Sequence, residues 1–104
     1  MGRSADYSKQ RCAVAATLDI VGEPWTLLII RDAFGGTARF EQWQDRLGLA
    51  RNVLAARLKS LVKQGIFEQR RECERPKRYE YLLTEKGEEL KPLMVHMADC
   101  GMRH

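Results

Sequence analysis

Apolar residues fall into short periodic runs along the chain, divided by glycine. Within residues 12–21, Ala15, Leu18 and Val21, or Ala15, Ala16 and Ile20, recur at spacings of three and four, which predicts a helix that Gly22 stops. Pro24 suits the first turn of a second helix, because its ring presets φ and its missing N–H needs no partner there. That helix, residues 25–34, is apolar on nearly every side (Trp25, Leu27, Leu28, Ile29, Ile30, Ala33, Phe34) and is expected at the buried centre, ended by Gly35-Gly36. Residues 40–47 predict a short amphipathic helix, with Phe40, Trp43 and Leu47 inward and Glu41, Gln42, Asp45 and Arg46 outward. After Gly48-Leu49-Ala50, residues 51–64 carry a narrow stripe of Leu54, Leu58 and Leu61. At about 100° per residue, Asn52, Ala56, Lys59 and Lys63 fall on the opposite face. Two short helices joined by a glycine turn of this length form a helix-turn-helix.

The period then changes. Residues 66–71 and 79–83 are aromatic- and branched-rich runs around a polar stretch, and they predict a β-hairpin with Tyr79, Tyr81 and Leu83 on its inner face and Arg75, Pro76 and Lys77 at its tip. Thr84 is a good N-cap for a last helix whose apolar stripe is Leu90, Leu93, Met94 and Met97, and Pro92 should kink or split it. Residues 1–11 contain no periodic apolar positions and read as a flexible arm ahead of one folded unit, residues 12–104. The order of elements describes a winged helix-turn-helix, mainly α with a small β-hairpin wing.

A chain of 104 residues holds one domain and excludes folds that need twice that length. Unbroken apolar runs such as Leu27 to Ile30 are short, so neither a spanning helix nor a signal peptide is expected. Cys12, Cys73 and Cys100 are odd in number and widely spaced, which points to a reducing cytoplasm and not to a secreted disulfide scaffold. There is no glycine-rich phosphate loop, and two histidines near the C-terminus support no catalytic constellation, so an enzyme is not expected. His96, Cys100 and His104 recur every fourth residue, but at a chain end and with Gly101 between them they read as surface, and no metal or cofactor is called for.

The net charge of +4 is unevenly placed: residues 39–78 carry eleven basic and five acidic side chains, while the rest of the chain is net acidic. Cationic charge gathered on the second helix of the helix-turn-helix and on the wing is what phosphate neutralisation requires. Several motifs follow one another in order: Cys12 with Leu18-Asp19-Ile20-Val21-Gly22, residues 25–31, Arg39-Phe40, then Leu54, Arg57-Leu58 and Leu61. They continue through Gly65, Arg78-Tyr79-Glu80-Tyr81 and Leu83-Thr84-Glu85-Lys86-Gly87. In these the chain resembles the HxlR-type family of winged-helix regulators, relatives of the MarR type. The resemblance implies a cytoplasmic homodimeric transcription factor, more often a repressor, on a palindromic double-stranded operator whose half-sites lie about 34 Å apart. It also implies a dimer contact through the terminal helices, here Leu90, Leu93, Met94 and Met97, a stripe that is costly to leave in water.

Arg51 and Asn52, near the start of the reading helix, are placed closest to base edges, since Arg can fork to guanine and Asn to adenine; the plainer reading is phosphate contact and helix-start solvation. Lys59 and Lys63 lie on the same face, suited to phosphate. Arg57, beside the leucine stripe, either reaches DNA or braces the motif. Arg75, Lys77 and Arg78 suit the adjacent minor groove, or else guard the hairpin edge against pairing. Trp25, Phe40 and Trp43 read as core anchors. In some members of the resembled family a cysteine at the position of Cys12 senses oxidants or electrophiles. A helix N-terminus with Lys9 and Arg11 nearby favours thiolate, whereas a packed, inert thiol is the rival reading. Cys100 is its candidate partner across the dimer, and Ala13 and Cys100 depart from the family pattern. A protein-interaction module on the same scaffold is the alternative to DNA binding.

Overall fold

The computed structural model describes residues 6–7, 9–73 and 78–104. The chain runs through α1 (Ala13–Val21), α2 (Thr26–Phe34), α3 (Phe40–Leu47) and α4 (Arg51–Lys63), then the antiparallel strands β1 (Phe67–Cys73) and β2 (Arg78–Leu83), then α5 (Glu85–Glu88) and α6 (Lys91–Arg103). This is the winged helix-turn-helix expected from the pattern. No single helix among the described residues is long and apolar enough to cross a membrane.

The leucine stripe of α4 turns inward as its spacing demands: Leu54, Leu58 and Leu61 are buried with Ile29 and Ile30 of α2, Ile66 and Phe67. Trp43 of α3 joins these elements. Its indole N–H donates to the Ile29 carbonyl at 3.0 Å, and its ring lies 5.7 Å from that of Phe67 and 6.0 Å, edge-on, from that of Tyr81. A buried tryptophan needs such a partner for its N–H. The turn between α3 and α4 closes at Gly48, whose φ of 67° lies in the left-handed region and whose N–H donates to the Gln44 carbonyl at 2.9 Å.

In the hairpin Phe67 faces Leu83, Gln69 faces Tyr81 and Arg71 faces Tyr79, with an irregularity between Arg71 and Cys73. Tyr81 and Leu83 pack on the core, but Tyr79 is exposed and lies beside the Arg71 guanidinium, so the expected inner face ends one residue pair sooner. The strands reach farther toward the tip than the apolar pattern indicates, because ladder hydrogen bonds carry polar residues along. Thr84 locks the hairpin root: its hydroxyl accepts from the Gly87 N–H at 3.1 Å and donates to the Gly65 carbonyl. A side chain at Gly87 would run into the Ile66 carbonyl, so glycine is required by close approach. Pro92 splits the C-terminal segment as anticipated, standing in the first turn of α6.

Two expectations need correction. Trp25 lies outside α2, as its N-cap, with φ 75° and 43% of its surface exposed, so neither it nor Pro24 opens the helix and Trp25 is no core anchor. At this bend the Pro24 carbonyl accepts from Arg57 of α4. The N-terminal segment is also not bare of anchors: Tyr7 is half-buried, and a Cβ at Gly22 would come within 3.3 Å of its ring.

Candidate nucleic-acid interface

With its leucines buried, α4 presents Arg51, Asn52, Lys59 and Lys63 to solvent, with Ala56 half-buried between them. Amide and ammonium groups thus stand on one outward face. Arg57 does not belong with them. It is 8% exposed, its Nε donates to the Pro24 carbonyl at 3.0 Å, and its guanidinium lies 3.7 Å from the Glu23 carboxylate. These contacts are those of the bracing alternative: the side chain ties α4 to the connection between α1 and α2.

The start of α4 meets the start of α3 and the wing. The Arg51 guanidinium sits 4.6 Å above the Phe40 ring and donates to Gln44 Oε1 at 3.4 Å. A cleft of about 690 Å³ opens beside it, walled by Arg39 to Gln42 at the beginning of α3, by Arg51, and by Arg78, Tyr79 and Tyr81 of β2. A backbone hydrogen bond of 2.7 Å from the Tyr81 N–H to the Ala38 carbonyl holds wing and α3 together there. The Gln42 side chain accepts from the N–H groups of Ala38 and Arg39, both at 3.1 Å, and so fixes the entry to α3. Burial, then the neighbouring Tyr79 and Glu41, push the Tyr81 hydroxyl above its ordinary range. Arg78 is exposed at the wing side of this cleft. Arg75 and Lys77, with Pro76, lie outside the described residues.

Sequence reasoning missed two features. Arg39 walls the cleft; the available signal was a cation at a helix start, where it opposes the macrodipole. Asp32 of α2 is buried and receives Arg31 Nε at 3.1 Å and Arg46 at 3.0 Å, so Arg46 reaches back to α2 instead of only facing out. Burial alone would raise the Asp32 carboxyl. The hydrogen bonds from Arg46 and Arg31, together with their charges, outweigh that and hold it below the ordinary aspartate range. With the Trp43 bond, this clasp seats the first helix of the motif on α2.

On the far side, Cys12 is the N-cap of α1, and its Sγ accepts from the Ala15 N–H at 3.3 Å. Cys12 and Cys100 are exposed free thiols. Cys73 is in β1. Among the described residues no group of His, Cys, Asp and Glu is gathered as a metal would need. In α6 no residue is buried; Leu93 is 36% and Met97 47% exposed, Met94 is half-buried, and Leu90, just before the helix, packs on the chain's own core. Leu93 and Met97 share an apolar groove of about 490 Å³ with Val14, Leu18 and Leu27.

Residues 20–104 match the HxlR-like helix-turn-helix family. The chain is 43% identical over 89 residues to Rv3095 of Mycobacterium tuberculosis, an uncharacterised HTH-type transcriptional regulator, covering 86% of this chain and 56% of that protein. It thus spans about half the length of the first curated relatives it matches. The crystal structure of PA1607 is similar with a TM-score of 0.87 and 42% identity, covering 96% of this chain and 70% of that one. The redox regulator HypR in its reduced form is similar with a TM-score of 0.83 and 27% identity, covering 88% and 92%. With the helix-turn-helix, its buried leucine stripe and the wing all in place, the chain belongs to the HxlR-like helix-turn-helix family.

Proposed function

We propose that this chain is a cytoplasmic DNA-binding repressor that acts as a homodimer on a palindromic operator and answers to oxidants or electrophiles through Cys12. The observation that carries DNA binding is the outward face of α4, with Asn52, Lys59 and Lys63 exposed beside an arginine-walled cleft. A helix of this kind fits the major groove, and the wing with Arg78, and Arg75 and Lys77 beyond it, fits the adjacent minor groove. Dimerisation is supported by the groove of Val14, Leu18, Leu93 and Met97, which leaves an apolar face open on a small chain. Cys100 lies on α6, the helix that contributes Leu93 and Met97 to that groove, and is the candidate partner of Cys12 across the dimer.

A salt titration of duplex binding tests the central reading. Phosphate-based recognition weakens steeply as salt rises; a flat response, or no retardation of DNA, favours a protein-interaction module instead. Asn52→Ala should blunt discrimination among operators, by about 1–3 kcal/mol at one base pair, while Lys63→Ala weakens all sequences alike. For the sensor, oxidant should release the wild type from DNA and leave Cys12→Ser bound. Serine also caps helices well, so the variant keeps its fold. Equal release of both proteins removes Cys12 from the mechanism.

A further inference from the structure

We infer that the cleft between wing and helix-turn-helix holds one backbone phosphodiester of the bound duplex, clamped by Arg39, Arg51 and Arg78, and that Arg51 is a phosphate contact and not a reader of base edges. This rests on the DNA-binding reading above and assigns its contacts within that reading. Three arginines from three separate elements line the cleft, and Glu41 is the one acidic residue among its lining. Guanidinium forks match phosphate oxygens two at a time, which a cleft of this composition exploits better than any neutral ligand would.

The position of Arg51 decides between its two roles. A base-reading arginine extends away from its helix into the groove. Here the exposed side chain stacks its guanidinium over Phe40 and reaches Gln44, both on α3, at the cleft that Arg51 helps to line. Asn52, next in sequence, remains on the exposed face. Stacking and the Gln44 contact also pre-order the side chain, which lowers the cost of fixing it when an anion arrives. The 2.7 Å bond from the Tyr81 N–H to the Ala38 carbonyl ties β2, which carries Arg78, to the segment that carries Arg39 across the joint between wing and motif. The arginines at the starts of α3 and α4, together with the positive end of each helix, favour a negative group here. A duplex backbone lying between a major groove filled by α4 and a minor groove beside the wing supplies that group at this point.

The probe is a duplex selected from random sequence by the wild-type protein, prepared as a series in which one linkage at a time is an uncharged methylphosphonate. One linkage in each half-site should weaken wild-type binding roughly tenfold, as loss of a charge-assisted contact does. The same linkage should cost Arg39→Gln and Arg78→Gln little further, because their clamp is already broken. Arg51→Gln should weaken all sequences alike and lower the salt slope by about 1. Equal sensitivity of variants and wild type to every neutral linkage overturns the clamp, as does relaxed preference at a single base pair in Arg51→Gln. Inorganic phosphate and a mononucleotide are titrated into the DNA-free protein in parallel; saturable binding of either below millimolar concentration, abolished in Arg78→Gln, assigns the cleft to a free anion and also overturns it. A protein that retards no duplex at any salt fails both readings. One that binds duplex with no linkage tied to these arginines fails only the clamp.

Discussion

The half of the molecule built from α2, α3, α4 and the hairpin closes its own core, and the half built from α1 and α6 does not. In the first, Trp43, Ile29, Leu54, Leu58 and Phe67 are buried, and polar ties cross between elements: Trp43 to Ile29, Arg57 to Pro24, Arg46 to Asp32. In the second, α6 buries no residue and Val14, Leu93, Val95, Met97 and Met102 stand in solvent. The difference teaches that exposed charge and exposed apolar surface have been sorted to different elements. The self-contained half carries the cationic face, whose side chains need a rigid base to be held at fixed spacing. The open half offers hydrophobic area, which becomes stabilising only when something covers it.

The comparison breaks most severely at Trp43. Trp43→Ala should cost about 3–5 kcal/mol, read from denaturant midpoints, because it leaves a cavity where α2, α3 and the hairpin meet. Arg57→Ala should cost about 2 kcal/mol, since a charged hydrogen bond from a buried guanidinium is lost; a change within experimental error would return Arg57 to the solvent face. Asp32→Asn should cost about 1 kcal/mol at neutral pH, modest because both arginine partners remain over half exposed. Its contribution depends on pH in a definite sense. The folded carboxyl titrates below its unfolded value of about 4, so the stabilisation is present above that pH and fades as pH falls through the folded value. Thermal midpoints of wild type and Asp32→Asn should therefore converge in acid; a gap that stays constant to pH 2 would detach the clasp from ionisation. The smallest effect on the fold of a single chain is expected at Met97→Glu, within about 0.5 kcal/mol as for an exposed position. Sedimentation of the same variant sharpens the comparison, because a proposed dimer that uses this face should dissociate, and an unchanged sedimentation coefficient would move the contact elsewhere.

Helix identities were legible because burial on one face imposes a period. Leu54, Leu58 and Leu61 announced both α4 and, by subtraction, its outward face. Gly48 and Thr84 were legible for a local reason, as a left-handed cap and a side-chain N-cap act on their own backbone. Trp25 was misread because apolar composition around a helix start does not reveal where the chain bends. Arg57 stayed ambiguous for a related reason: its place beside the leucine stripe allowed both roles, and only the arrival of the α1 to α2 connection over α4 supplied Glu23 and Pro24 as partners.

The amino-acid order by itself determined the elements, the hydrophobic faces and the concentration of positive charge between residues 39 and 78, because each depends on neighbours within a few positions or on a plain count. Tertiary structure alone decided which cations share a site. Arg39, Arg51 and Arg78 come from separate elements, and their meeting depends on the Tyr81 to Ala38 bond and on the packing of Trp43 beneath it. Such convergence is a property of how rigid pieces are docked, and no periodicity along one piece encodes it.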